Sequence, residues 1–150
     1  MKKDYSSIFA ISFILGILGL IYFTMMPHWT SNKEGSLSEF STSRALKQVE
    51  AIAKQPHYVG SKEHEVVANY LIKELNKLGL QTSVQEGFTL SDWGNLVQSK
   101  NILARIKVTA NSKALLLLSH YDSAPHSYSK GASDAGSGVA TLLESVRAFL

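Results

Sequence analysis

Residues 114–150 read ALLLLSHYDSAPHSYSKGASDAGSGVATLLESVRAFL, and this stretch decides the fold. Ala114 to Leu118 is an apolar run of strand length between polar residues, which predicts a strand covered on both faces of an α/β sheet. His120 and Asp122 follow where that strand ends. Asp134 stands just before Gly136, Ser137 and Gly138, which open an amphipathic helix. Ligands of open α/β sheets bind outside the carboxyl ends of strands, so the three polar side chains lie where a site is expected. Val139, Leu142, Leu143, Val146, Phe149 and Leu150 carry the helical stripe to the last residue with no stop signal. The expectation is a domain whose sequence continues further.

Working back from this stretch, Ser43 is a candidate cap for a helix over 44–54, with Ala45, Val49 and Ile52 on one face and Pro56 after it. Ser61 caps a second helix, with Glu63 and Glu65 in its first turn. Val67, Leu71, Leu75 and Leu78 form its inward stripe, and Gly79 is placed to end it. Thr82, Val84, Glu86 and Phe88 alternate with polar residues as in an edge strand. A loop over 91–100 carries Trp93, a second strand is expected over 101–108, and Asn111-Ser112 reads as a turn. The order helix, helix, strand, strand, strand, helix predicts an α/β three-layer sandwich with a mixed sheet, incomplete within these residues.

The chain has 150 residues and a net charge of +3. Beyond residue 26, thirteen Lys/Arg face eleven Asp/Glu with no basic cluster, so nothing suggests nucleic acid. There is no cysteine, so any transition metal falls to His and carboxylates, a donor set that suits zinc. Ile8 to Met26 is uncharged and rich in Ile, Leu and Phe, close to the roughly 20 residues of a bilayer span. It is longer than the apolar core of a signal peptide and lacks a small-residue cleavage pattern, so an uncleaved anchor is expected. Lys2 and Lys3 orient the N-terminus to the cytoplasm and the rest to the extracytoplasmic side, periplasmic or lumenal. The expected division is an anchor over 1–26, a linker over 27–41, and the N-terminal part of a folded domain over 42–150.

The chemistry rests on three residues. His120 and Asp122 are two apart, so in extended backbone they share a side. A carboxylate there can accept from one imidazole nitrogen and leave the other for a metal. Asp134 has two oxygens and can bind one ion or bridge two. Taken singly, each has a plain reading: a surface H-x-D pair, or an N-cap aspartate. Their joint placement after an apolar strand and before a Gly-rich helix start favours the metal. Plain readings are assigned elsewhere: His57 in a loop, His64 on a helix surface, His126 in an exposed loop, Glu144 towards solvent, and Tyr70 and Trp93 in packing.

HYDS and GASDAGSGVA resemble the co-catalytic zinc aminopeptidase family that includes aminopeptidase Y and the glutamate carboxypeptidases. PHYVGSKEHEVVANYLIKELNKLGL and SKNILARI extend the likeness over about residues 42–150. The preceding anchor looks like the membrane-anchored endoplasmic-reticulum metallopeptidase (Fxna-like) branch. The resemblance implies His120 as a zinc ligand, Asp122 as the aspartate supporting it, and Asp134 as the aspartate bridging two zinc ions. It implies a zinc-dependent exopeptidase, an aminopeptidase, acting on peptides through a metal-activated water, with the bilayer met by residues 8–26. The family's general-base glutamate, its neighbouring glutamate ligand, the later carboxylate and the last histidine have no counterpart within 1–150. Residues 1–150 alone are therefore expected to be inactive and to bind zinc weakly. Lys130 stands where relatives often have proline. Rival readings are a non-catalytic ectodomain with the same fold, a single-zinc glutaminyl-cyclase-like acyltransferase, and a small single-pass anchor protein.

Overall fold

The computed structural model describes residues 6–26, 35–91, 94–107 and 113–150. Lys2, Lys3, positions 27–34 of the expected linker, Trp93, Val108 and the Asn111-Ser112 turn lie outside these residues. The chain forms two units, 1–31 and 32–150. In the first, Ser6–Met25 is one helix, α1, of 20 residues with no buried side chain. At 1.5 Å per residue it is about 30 Å long, enough by length and composition to cross a bilayer.

The second unit begins with α2, Thr42–Ile52. Its cap is Ser41 rather than Ser43: Ser41 is extended and its hydroxyl accepts from the Arg44 N–H at 3.4 Å. Helix α3, Lys62–Lys77, starts as expected, with Ser61 Oγ accepting from the His64 N–H at 3.1 Å. It ends in a Schellman turn. Leu80 N–H donates to Leu75 and Gly79 N–H to Asn76, with Gly79 at φ +78°.

Strands β1, Thr82–Leu90, and β2, Leu96–Ala104, form an antiparallel hairpin running from the Thr82–Ala104 pair to the Leu90–Leu96 pair. The second strand thus begins five residues before the expected start at Asn101. Gln98, Ser99 and Lys100 hide it from an apolar pattern, yet they pair across the ladder. Lys100 meets Glu86 at 3.1 Å, and Gln98 Nε2 donates to Glu86 at 3.2 Å.

Ala114–Leu118 departs from expectation more sharply. It is neither a strand nor buried: Leu115 is 85% and Leu118 77% exposed. An apolar run is buried in a sheet only where neighbours supply both the ladder and the covering layers. Among the described residues the sheet is the antiparallel β1–β2 hairpin, and no backbone hydrogen bond joins it to 114–118.

Helix α4, Ser137–Phe149, closes the unit. Its Val139 and Leu143 meet Ile52 of α2 and Val67 and Leu71 of α3 in one apolar cluster, flanked by Tyr70, Leu75, Ile102 and Tyr121. Tyr70 packs as expected, and its hydroxyl donates to Gln48 at 2.5 Å. Ile52 is 1% exposed. Ile52→Val is expected to lower stability by about 1 kcal/mol, read as a lowered melting temperature with the secondary structure retained.

Candidate metal centre

The side chains of His120 and Asp122 meet each other, whereas Tyr121 packs against α3 and β2. The Tyr121 ring stacks on His64 of α3, with centroids 4.7 Å apart and planes 11° apart. Its hydroxyl donates to the Lys100 carbonyl of β2 at 3.0 Å. Burial pushes the Tyr121 phenol up to about 12, so the ring is a neutral wedge at physiological pH. One residue thereby fixes the rotation of the HYD segment. His64, read from sequence as a surface residue, is instead 4% exposed, and burial lowers its pKa. Its helical position faced the core, but its polarity disguised that.

Asp134 is brought to His120 by two tight turns. Gly131 takes φ +65°, a value that favours glycine, and Asp134 is extended (φ −119°, ψ 102°). The Gly136 N–H donates to the Gly131 carbonyl at 2.8 Å, and the Asp134–Ala135 peptide bond is cis. Gly136, not Asp134, is the cap residue of α4. The carboxylate that could have capped the helix turns to the histidine instead.

The three expected site residues therefore converge. His120 Nδ1 lies 3.2 Å from Asp122 Oδ1, and Nε2 lies 2.8 Å from Asp134 Oδ1. Ionised carboxylates only accept, so a ring that satisfies both donates from both nitrogens. Desolvation lowers the His120 pKa, but the hydrogen bonds and charges of Asp122 and Asp134 outweigh it and hold it above the ordinary value. The site is open: the side chains of His120, Asp122 and Asp134 are 56%, 32% and 85% exposed. Ion pairs this wet contribute little to stability, so their arrangement is not explained by folding alone.

The donor set suits zinc: an imidazole nitrogen and a carboxylate oxygen face each other at 2.8 Å, close to the roughly 3 Å between two ligands of one ion. Asp122 holds the far nitrogen, as the partners of zinc-bound histidines do. Among the described residues, no group of three or more His, Cys, Asp or Glu converges as a metal-ligand set.

Several polar residues are built into the interior. His57 is 1% and Ser123 0% exposed. Glu144, expected in solvent, is 3% exposed and lies between Arg44 and Arg147. Its partner Arg44 is 100 residues away in the chain, and an i,i+3 arginine such as Arg147 is equally at home on a solvent-facing helix surface. His126 does lie in an exposed loop, with φ +54°.

Residues 101–150 match the model of Peptidase family M28. A vacuolar membrane protease of Candida albicans is 29% identical over 157 residues, covering 97% of this chain and 18% of that protein. Three solved structures share the fold: a Porphyromonas gingivalis glutaminyl cyclase (TM-score 0.68, 29% identity, 76% of this chain and 40% of that one); a leucine aminopeptidase precursor from Bacteroides thetaiotaomicron (TM-score 0.66, 27%, 75% and 42%); and a Zn-dependent exopeptidase from Parabacteroides distasonis (TM-score 0.64, 29%, 75% and 42%). This chain spans about a fifth of the length of the curated relative (18%). The matches bear out the α/β zinc-peptidase fold and the family resemblance read from HYDS and GASDAGSGVA.

Proposed function

We propose, from the premise that residues 101–150 carry the Peptidase family M28 pattern, that the protein bearing this chain is a membrane-anchored zinc-dependent exopeptidase, an aminopeptidase. The single observation that carries this reading is His120 held between Asp122 and Asp134, at 3.2 and 2.8 Å. His120 Nε2 and the Asp134 carboxylate would hold zinc, of which two ions are expected in the complete enzyme. Zinc, when bound, supplies Lewis-acid polarisation and activation of water. The chain's own residues do the positioning: Asp122 accepts from Nδ1–H, which fixes the tautomer and leaves Nε2 to face the ion. The open face over Asp134 leaves room for a peptide to approach. About three protein ligands plus water make up a catalytic zinc site, so the reading requires donors besides His120 and Asp134.

The experiment is zinc analysis of the purified protein with turnover of aminoacyl amides. Zinc-dependent release of N-terminal residues is expected. Asp134→Ala is expected to lower turnover more than 100-fold, beyond the range for residues that only support a ligand. Turnover unchanged by a chelator, or by Asp134→Ala, would sink the reading. A glutaminyl-cyclase-like activity is the second reading, favoured by the shared fold of the P. gingivalis cyclase. Peptides with N-terminal glutamine separate the two: cyclisation without chain shortening selects it.

The anchor reading places α1 across the bilayer, with residues 8–26 in lipid and the domain on the extracytoplasmic side. Residues 1–150 contain no cysteine, so an engineered Ser127→Cys adds the one thiol within them, and the unsubstituted protein is the labelling control. Labelling of intact cells or sealed vesicles by an impermeant maleimide is expected from the extracytoplasmic side only.

A further inference from the structure

We propose that Ser123 and His57 are a positioning pair that sets the geometry of Asp122 and Asp134 for the metal. The proposal rests on the zinc reading above and adds two residues to it. The carboxylates are too exposed to be held by their own burial, so their geometry must come from neighbours. Ser123 follows Asp122 and is 0% exposed. Its hydroxyl accepts from the His57 N–H at 2.8 Å, and its own N–H donates to the His57 carbonyl at 3.4 Å. This two-way tie joins the loop between α2 and α3 to the residue beside Asp122.

The His57 ring then meets Gly131, three residues before Asp134. Its Nδ1–H donates to the Gln55 carbonyl at 2.9 Å, which fixes the ring plane. The ring edge lies over Gly131. A Cβ at Gly131 would stand 3.1 Å from Ser123 Cβ, 3.2 Å from His57 Cε1 and 3.3 Å from the Asp134 carbonyl oxygen. Ser123, His57, Gly131 and Asp134 are thus one packed knot. It touches Asp122 through the chain and Asp134 through the turn.

His57 Nε2 is buried with no partner among the described residues. A buried nitrogen without a partner is costly to a fold, and a leucine or phenylalanine would fill the space without that cost. The imidazole is held there by its Nδ1–H bond and its flat edge against Gly131, both of which serve the placement of the site.

The test measures the zinc dissociation constant of the purified protein by chelator competition, beside its melting temperature. Ser123→Ala removes the acceptor of the tie, and Gly131→Ala wedges the knot apart. Ser41→Ala is the structural control: Ser41 is equally buried (3%) and caps α2, but touches none of these residues. Both site variants are expected to weaken zinc about 10–100-fold, the range for residues that orient a ligand. Ser41→Ala is expected to lower the melting temperature and leave zinc affinity within about twofold of wild type. Should Ser123→Ala fail to fold, Gly131→Ala carries the same comparison. Wild-type zinc affinity retained by both variants overturns the positioning pair and leaves the zinc reading standing. A wild-type protein that binds no zinc overturns the zinc reading itself, which is a separate result.

Discussion

Replacing Glu144 with glutamine is expected to lower the stability of the 32–150 unit by about 3 kcal/mol, towards the lower end of the cost of breaking a buried ion pair. The change removes charge and almost no volume. Glu144 Oε1 accepts from the Ser41 N–H at 2.8 Å and from Arg44 Nε at 3.0 Å. Arg147 grips the same carboxylate with two nitrogens, at 2.7 and 2.8 Å. The arginines also collect backbone carbonyls. Arg44 donates to Gly35, Ser36 and Glu39, and Arg147 donates to Leu37 and Glu39. One carboxylate therefore anchors both cations that pin residues 35–39 against α2 and α4. Glutamine leaves two guanidinium groups facing each other with no anion between them. The arginine side chains are 16% and 20% exposed, so water relieves part of this, which argues for the lower figure.

The same site gives a pH dependence. Burial raises the Glu144 carboxyl, but the hydrogen bonds from Arg147, Ser41 and Arg44 outweigh it and hold it at about 2 against an ordinary 4.5. A carboxyl depressed by folding adds stability that is fully present above the unfolded value and is lost as pH falls through the folded one. Melting temperature is therefore expected to drop between about pH 4.5 and 2 in the wild type. Glu144→Gln is expected to flatten that part of the profile. An identical acid profile in the variant would remove Glu144 as the cause.

What the sequence disclosed, and what it withheld, follows from the range of the interactions. Ser61, the α3 stripe and Gly79 act within a few residues of themselves, and their pattern is local. His120, Asp122 and Asp134 were legible because H-x-D alternation and a Gly-rich helix start are local signals as well. Ala114–Leu118 misled because an apolar run records what a segment can bury, not whether partners stand beside it. The early part of β2 was hidden because Lys100 and Gln98 are satisfied across the ladder by Glu86, and a lone strand does not display such pairing. His64 and Glu144 were misplaced for one shared reason. Polar side chains read as solvent-facing until the residue that partners them is known, and Tyr121 and Arg44 lie far from them in the chain.

Gly136→Ala is expected to damage the site more than any other single methyl group. A Cβ at Gly136 would lie 2.7 Å from the Gly131 carbonyl oxygen and 3.6 Å from its carbon. The obstacle is backbone, and that same carbonyl accepts the Gly136 N–H at 2.8 Å, so no rotamer change relieves the overlap. The chain must separate residues 131 and 136, and Asp134 lies between them. Overpacking of this kind costs about 1–3 kcal/mol, and here the strain falls on the proposed bridging carboxylate. Zinc affinity and peptide turnover are both expected to fall more than 100-fold, with the α-helical signal kept. Gly138→Ala is the comparison that makes the test sharp. Its Cβ would also meet an oxygen at 2.7 Å, but that atom is Ser119 Oγ, the end of a side chain that can rotate away. Equal distances therefore predict unequal outcomes: a small change at Gly138 and a large one at Gly136. Equal losses in the two variants would mean that crowding at the helix start, rather than the 131–136 turn, holds Asp134 against His120.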